Sequence, residues 1–455
     1  MIKQDWLPDL DGAGGPKYLA IAEALSSAIE AGELRGGDRL PPQRNLAARL
    51  GLDLTTVTKA YDQARSRGLI IARGRAGSFV LPQGMIAAGP PPRDTGMNMP
   101  PELESGSLLI AWERTTSTLL SSPGAGGRLH YAPAGGCETD RIAGARIFER
   151  MSLASHPDEV VVTAGSQNAL HAIISAALES GDAVACGPYV YPGFLALARK
   201  AGLKLAPMAR VDAAELEALC RTRKIAALYL VPTNDNPTTT TLRKSERAAL
   251  AEVVRKHGIQ IIEDDAYGML DAHPLAPLSS FVPELAWYVA TSSKIISPAL
   301  RVAHVRAPSL RQAMALAGQI HDSNVMPPPL NAAILTCWVE DGRYDRLIAE
   351  TRAEAIRRQA IAAEILPPAS YAAHPSGYHL WVTLGADGNA AQISSALAGA
   401  GMAAIPADRF LPGGTSVVHA LRVSLGGAVD VSGVRRGLTM LSMYLSTAGP
   451  ASLVI

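Results

Sequence analysis

Between residues 159 and 291, five short apolar runs alternate with amphipathic helical segments, and no other feature constrains the fold of this chain as tightly. The runs are Glu159-Val-Val-Val-Thr, Ala183-Val-Ala-Cys, Ala226-Ala-Leu-Tyr-Leu-Val, Ile259-Gln-Ile-Ile-Glu and Trp287-Tyr-Val-Ala-Thr. They are too short for helices, so they read as strands. Segments 166–179, 193–201, 213–221 and 243–257 read as the helices between them. Strands separated by helices pair in parallel, because a parallel neighbour is reached only through a crossover. From residue 107 to 455 we therefore expect an α/β domain with a mostly parallel sheet. From about 340 the pattern changes to a long basic helix (343–365) and short strands around Tyr378-His-Leu-Trp-Val and Ala420-Leu-Arg-Val-Ser, a smaller α+β subdomain.

A different pattern precedes this body. Leu19, Ala22, Leu25 and Ala28/Ile29 form an apolar stripe at helical spacing, closed by Gly32. A second helix is expected from Pro42 to Leu50, and a third from Leu54 to Arg67 with Val57, Ala60, Tyr61 and Ala64 inward. Leu69-Ile-Ile-Ala and Ser78-Phe-Val-Leu, separated by Arg73-Gly-Arg-Ala-Gly77, read as a hairpin. Three helices and a hairpin make residues 1–81 a winged helix-turn-helix. Residues 82–106 carry six prolines and four glycines, which reads as a linker. Fully extended, that linker spans roughly 80 Å, so the head need not rest on its own body.

Composition narrows the class. No apolar run approaches the ~18 residues of a membrane span, and the start lacks the order of a signal peptide. Four scattered cysteines without a Cys-x-x-Cys pair argue against a disulfide framework or a zinc site and fit a reducing cytoplasm. The chain's net charge is only +1, yet residues 33–82 alone carry +5. Any affinity for nucleic acid must come from that local excess.

Several polar residues stand where predicted strands end. Lys294 lies in Thr291-Ser-Ser-Lys-Ile-Ile-Ser-Pro-Ala-Leu-Arg301. On its own it reads as a solvated loop lysine. Thr291, Ser293 and Arg301 add hydroxyls and a guanidinium, a set suited to a phosphate dianion. In Thr163-Ala-Gly165-Ser166-Gln167, the N–H groups of Ser166 and Gln167 would open a helix, either as a phosphate cradle or as an ordinary cap. Glu263-Asp264-Asp265-Ala266-Tyr267 ends another strand: one carboxylate can hold a pyridine nitrogen protonated, or both can be surface groups. Asn236 follows a third strand, as an oxygen ligand or an Asn-Pro turn. Tyr191, in Tyr-Pro-Gly, can stack on a ring or pack a turn. Arg422 can grip a carboxylate bidentately or lie on the surface. Except for Arg422, all of these fall at carboxyl ends of predicted parallel strands, where open α/β sheets bind ligands.

Together these residues resemble the type I fold of pyridoxal-phosphate enzymes, the aminotransferase class I/II group, over nearly all of residues 107–430. The resemblance implies that Lys294 is the Schiff-base lysine of pyridoxal 5'-phosphate and Asp264 the partner of its ring nitrogen. It places Tyr267 and Asn236 on the ring oxygen, Tyr191 on the ring face, and Ser166, Gln167, Thr291 and Arg301 around the phosphate. Tyr131, in Leu129-His-Tyr-Ala-Pro-Ala-Gly, resembles the tyrosine that reaches the phosphate from a second subunit, and Arg422 the substrate-carboxylate arginine. The chain departs from the family pattern in Cys186-Gly-Pro-Tyr, which lacks the usual acidic residue. Thr239 replaces the glycine after Asn-Pro-Thr, and Ala303-His304 follows Arg301 in place of Gly-Tyr or Gly-Phe.

Residues 18–80 resemble the winged helix-turn-helix of the GntR regulators, notably in Leu40-Pro-Pro-Gln-Arg44-Asn-Leu-Ala, Thr55-Thr-Val-Thr-Lys-Ala-Tyr61 and Arg75-Ala-Gly-Ser-Phe-Val. With the inward face assigned, Thr55, Thr56, Thr58 and Lys59 should face a major groove. Arg44 would anchor to the DNA backbone, and Arg73 and Arg75 would reach from the wing. Head, linker and body in this order resemble the MocR subfamily of GntR regulators. That implies a cytoplasmic, head-to-tail homodimer on double-stranded promoter DNA, sensing a small amino compound that forms an external aldimine in place of Lys294. The other readings are a working aminotransferase with an appended head, and a body kept only for dimerisation.

Overall fold

The computed structural model describes residues 6–10, 16–67, 69–72, 77–80, 96–385, 388–413 and 419–447. The chain divides into two units, Met1–Arg93 and Asp94–Ile455. In the first, helices α1 (Lys17–Glu30), α2 (Gln43–Leu50) and α3 (Leu54–Ser66) precede a hairpin of β1 (Ile70–Ala72) and β2 (Ser78–Val80), paired antiparallel. Ile21, Leu25, Leu46, Val57, Ala60 and Tyr61 form its core. Ile21 lies fully inside, whereas Leu19 is only half-buried. Gly51 ends α2 with φ 62, a conformation that favours glycine. Asp53 caps α3 by accepting the Thr55 N–H at 2.7 Å.

The body starts with α4 (Ser107–Ser121) and α5 (Glu138–Arg150). Strands and helices then alternate: β3 (Val160–Thr163), α6 (Ser166–Ala177), β4 (Ala183–Cys186), α7 (Pro192–Lys200), β5 (Lys204–Pro207), α8 (Ala213–Thr222), β6 (Ala227–Leu230), α9 (Lys244–His257), β7 (Gln260–Asp265), β8 (Ala286–Thr291) and β9 (Ala303–Arg306). The seven strands order as β3-β9-β8-β7-β6-β4-β5. Only β9 runs against its neighbours. β6 and β8 are buried throughout, as parallel strands covered on both faces must be. Alternation along the strands sends Leu228, Leu230 and Ile261 to one core with Leu250 and Val254 of α9. Tyr229, Ile262 and Trp287 go to the other.

Helices α10 (Leu310–Asn324), α11 (Pro329–Glu340) and α12 (Arg343–Ile365) lead into the smaller subdomain. There β10 (Tyr371–Ala373), β11 (His379–Thr383), β12 (Ala404–Pro406) and β13 (Ala420–Ser424) form an antiparallel sheet in the order β10-β11-β13-β12. It is flanked by α13 (Ala390–Gly399) and α14 (Val431–Thr447). Among the described residues, no helix is long and apolar enough to cross a membrane.

The linker boundary needs a correction. Proline and glycine content places residues 96–106 in the linker, but they pack on the body. Asn98, Pro100 and Pro101 are buried, and Pro101 bridges Gly427. Hydrogen bonds to Tyr267, Lys294 and Arg422 anchor this stretch together with the buried Pro100 and Pro101 and the packing of Leu103, and composition registers none of these partners. Residues 81–95 lie outside the described residues.

Candidate functional site

Strand parity separates the three carboxylates at the end of β7. Glu263 accepts the N–H groups of Leu278 and Ser279 at 3.0 and 2.7 Å, and Asp265 accepts the Tyr288 hydroxyl and the Gly268 N–H. Both are consumed by structure. Among the described residues, Asp264, on the opposite face, accepts only the Tyr229 hydroxyl at 3.2 Å, and its Oδ1 is buried without a partner. Burial pushes its pKa up to about 6 against the Tyr229 bond, with Asp265 adding to the rise and Lys294 opposing it. A buried carboxylate oxygen in this state is an acceptor suited to a cationic N–H.

Lys294 lies in the loop after β8, largely enclosed. Burial drives its pKa down to about 8; Arg422 and Arg301 push the same way and Asp264 opposes. Its Nζ donates to the Asn98 carbonyl at 2.6 Å, and its own carbonyl accepts the Tyr378 hydroxyl at 2.8 Å. Arg422, in the middle of β13 and buried, donates from Nη1 to Asn236 Oδ1 at 3.1 Å and from Nη2 to the Gly96 carbonyl at 2.6 Å. Tyr267 is buried, its pKa pushed up to about 12 by desolvation, and its hydroxyl oxygen accepts from Asn98 Nδ2 at 3.0 Å. Tyr191, the N-cap of α7, is half-buried and within electrostatic range of Asp264, Arg301 and Arg422. The fold thus brings Lys294, Asp264, Tyr267, Asn236, Tyr191, Arg301 and Arg422 together from five separate stretches. Beside them, a cavity of about 590 Å³ opens next to Tyr191, Tyr229 and Asp235.

A corner suited to an anion adjoins that charge cluster and shares Arg301 with it. Ser166 and Gln167 open α6, where the first N–H groups have no intrahelical acceptor. Gly165 precedes them with φ 81, and a Cβ there would stand 2.8 Å from Arg301 Nη2, so only glycine leaves the guanidinium its place. Arg301 donates to the Ala164 carbonyl at 3.1 Å. Thr291 Oγ1 accepts the Ser293 N–H, while the Ser293 hydroxyl is buried without a partner. Gln167 Nε2 is tied to the Gly193 carbonyl, leaving its Oε1 unpartnered. This arrangement fits a group that carries a protonated ring nitrogen at one end and a dianion at the other, within reach of an amine.

Tyr131 is not part of this assembly. It is 86% exposed, as Leu129 is at 70%, so it does not act on the site of its own chain. Two departures from the family pattern have visible structural consequences. Thr239 adopts φ 64 in the place where glycine is usual. His304 is buried in β9 against Gly144, and desolvation drives its pKa down to about 4.

On the head, Arg44 and Lys59 are exposed. The outward set on α3 needs a correction. Thr55 is exposed, but its hydroxyl is bonded to Asp53 in the cap. Thr56 and Thr58 are half-buried, and Thr58 donates to Gln43 at 3.1 Å, because α2 packs across that flank. Arg73 and Arg75 lie outside the described residues.

Sequence reasoning missed Asn98, Tyr229, Tyr378, His379 and Ser424. Tyr229 carried a signal, since its parity on β6 matches that of Asp264 on β7. Asn98 carried none: its partners lie 169 to 326 residues away.

Residues 125–439 match the aminotransferase class I and II family, and residues 17–80 match the gntR family of bacterial regulatory proteins. The chain is 26% identical over 451 residues to YdeF of Bacillus subtilis, an uncharacterized HTH-type transcriptional regulator, covering 97% of this chain and 96% of that one. It is 26% identical over 418 residues to PtsJ of Salmonella typhimurium, a vitamin B6 salvage pathway transcriptional repressor, covering 90% and 94%. LysN, the α-aminoadipate aminotransferase of Thermus thermophilus, crystallised with N-(5'-phosphopyridoxyl)-L-leucine, aligns with a TM-score of 0.67 at 24% identity, over 77% of this chain and 91% of its own. That likeness establishes the fold of the body.

Proposed function

This chain belongs to the aminotransferase class I and II family and carries a gntR head, the architecture of the MocR subfamily, and on that premise we propose that it is a pyridoxal 5'-phosphate-dependent transcriptional regulator. One observation carries the reading: the depressed Lys294 amine and the unpartnered Asp264 carboxylate oxygen belong to one charge cluster, with Arg301 and Arg422 also acting on the lysine. In this reading Lys294 holds the cofactor's aldehyde and Asp264 its ring nitrogen. Tyr267 and Asn236 Nδ2 lie on the ring oxygen, and Tyr191 on the ring face. The corner formed by Ser166, Gln167, Thr291, Ser293 and Arg301 takes the phosphate. When bound, the cofactor supplies an aldehyde able to exchange one amine for another and a ring that withdraws electrons.

The protein's own residues then set what is sensed. An amino compound competes with Lys294 for the aldehyde, and Arg422 selects one that also carries a carboxylate or sulfonate. A tenfold change in DNA affinity requires about 1.4 kcal/mol of differential effector binding between two conformations. The exposure of Tyr131, Leu129 and Leu109 (73%) fits a homodimer in which Tyr131 reaches the partner's phosphate site. The head binds double-stranded DNA through Arg44, Thr55 and Lys59, with the wing's Arg73 and Arg75. A head-to-tail dimer in the cytoplasm, on a promoter with repeated half-sites, completes the proposal.

The test is Lys294→Ala. Borohydride-reducible pyridoxal phosphate should disappear while folding and DNA binding persist; retained reducible cofactor would refute the assignment. A second reading, a working aminotransferase, is favoured by the same lowered Lys294 pKa, because a freed amine near 8 is a competent base. Multiple turnovers releasing keto acid from an amino acid would establish it. A single spectral change accompanied by altered DNA mobility would favour the regulator.

A further inference from the structure

The stretch Gly96–Pro101 enters the site from the head side of the chain and meets both of its key cations. The Gly96 carbonyl takes Arg422 Nη2 at 2.6 Å, and the Asn98 carbonyl takes Lys294 Nζ at 2.6 Å. Asn98 itself is 2% exposed, and every polar position of its amide is used. Nδ2 donates to Tyr267 at 3.0 Å and lies 3.2 Å from His379 Nδ1, while Oδ1 accepts from Ser424 at 2.8 Å. His379 Nε2 faces the Asp235 carbonyl at 3.1 Å, so that nitrogen carries the proton and Nδ1 is the acceptor. Turning the Asn98 amide over would set oxygen against that acceptor and hydrogen donors against Ser424's, which fixes its orientation.

Beyond Asn98 the stretch is clamped to the smaller subdomain. The Gly427 N–H donates to the Pro100 carbonyl at 3.1 Å, and the Glu102 N–H to the Gly427 carbonyl at 3.3 Å. A Cβ on Gly426 would stand 1.8 Å from the Met99 carbonyl oxygen, so this backbone approach exists only because residue 426 is glycine.

We propose that Gly96–Asn98 is a built-in competitor for the anionic group of the effector, displaced from Arg422 when that group binds. The inference rests on the reading of Arg422 as the effector's anchor. Arg422 is 3% exposed and both Nη atoms already donate within the protein, so a carboxylate reaches the guanidinium only by displacing the Gly96 carbonyl from Nη2. An ionised carboxylate is the stronger acceptor and wins that exchange. Asn98, held by its side chain, stays as the pivot, and the Gly96 end is released. That end continues directly into residues 81–95 and the DNA-binding head, so the displaced segment is the one the head is attached to.

Hydrogen–deuterium exchange on full-length protein loaded with pyridoxal phosphate tests this. The probes are acetate, acetamide as its neutral analogue, and chloride at matched ionic strength. Acetate should accelerate exchange at residues 96 and 97, and acetamide and chloride should not. In Gly426→Ala, whose new Cβ pushes on Met99, exchange there should be fast without any probe. The same variant should bind acetate about fivefold more tightly, because the competitor no longer reduces the competent fraction. Asn98→Ala, read by exchange alone, serves if Gly426→Ala does not fold. Equal effects of acetate and acetamide, no effect of either, or unchanged acetate affinity in a variant with fast exchange would each overturn the proposal. Reducible cofactor in the wild type is scored separately: its absence defeats the cofactor reading, whereas its presence with a silent segment defeats only this inference.

Discussion

In the proposed reading, capture of an aldehyde requires Lys294 as a free amine, and its surroundings set the pH at which that amine exists. Burial, reinforced by Arg422, lowers its pKa from the ordinary 10.5 to about 8. At pH 7 the reactive fraction is then about 9%, against about 0.03% for an ordinary lysine, a gain of roughly 300-fold. The rate of capture from excess pyridoxal phosphate should rise about tenfold per pH unit and level off near 8. Stopped-flow absorbance measures it, and dividing by the rate for a small reference amine removes the aldehyde's own titration. Charge changes should move the bend in opposite directions. Arg422→Gln removes a cation that favours the neutral amine, so the bend shifts to higher pH. Asp264→Asn removes an anion that favours the ammonium, so it shifts lower. The same displacement has a stability consequence. Between pH 8 and 10.5 the unfolded chain holds a proton that the folded chain has lost, so this group makes stability rise with pH across that window. A bend at 10 or above, or two variants shifting it in the same direction, would refute the electrostatic account.

Three other outcomes are expected. Lys59→Ala should weaken DNA binding and reduce the slope of log affinity against log salt by about 0.9, one phosphate contact's worth, in an anisotropy titration; an unchanged slope argues against contact. Thr239→Gly should stabilise the fold by up to about 1 kcal/mol in urea unfolding, since a β-branched residue at φ 64 is strained and glycine is not, less glycine's greater freedom when unfolded. Arg247, 0% exposed, donates to the carbonyls of Leu242, Ala276 and Pro232 and to the Thr233 hydroxyl. Arg247→Lys cannot reach all four acceptors and should cost about 3 kcal/mol or more, read as a lowered melting temperature.

The parts of this molecule that were legible in sequence are those specified locally. Strand and helix periods recur every few residues, so the alternation around β6, β7 and β8 could be read directly. Lys294, Asp264 and Asn236 stand at strand ends within short motifs. Neighbours in space but not in sequence left no such trace. The resemblance singles out Asp264, but the physical reason for Asp264 over Asp265 depends on which face of β7 each occupies and on Tyr288 and Gly268 already bonding Asp265. The burial of Thr58 depends on α2 lying across it. Asn98 is the extreme case, because proline and glycine content describes only how little apolar area a segment has. It is blind to a segment held by three carbonyls, a backbone N–H and one side-chain amide.

That mode of attachment also suits a switch energetically. A buried guanidinium left without acceptors would cost several kcal/mol, so a sensor that merely opened its anion site would be unstable with no ligand bound. A carboxylate side chain as competitor would err the other way, pairing with Arg422 as strongly as any effector and blocking it. A neutral carbonyl falls between these limits. It satisfies Nη2, yet yields to an ionised ligand, which adds charge–charge attraction to the same charge-assisted hydrogen bond. The difference is on the order of 1–2 kcal/mol, comparable with the 1.4 kcal/mol that a tenfold response demands. Replacing Gly96 would test this balance at its weakest point. With φ 71 and a Cβ that would stand 2.8 Å from Ile405 Cδ1, Gly96→Ala should loosen the carbonyl's hold on Arg422. It should raise acetate affinity by about as much as Gly426→Ala does, from the opposite end of the same segment.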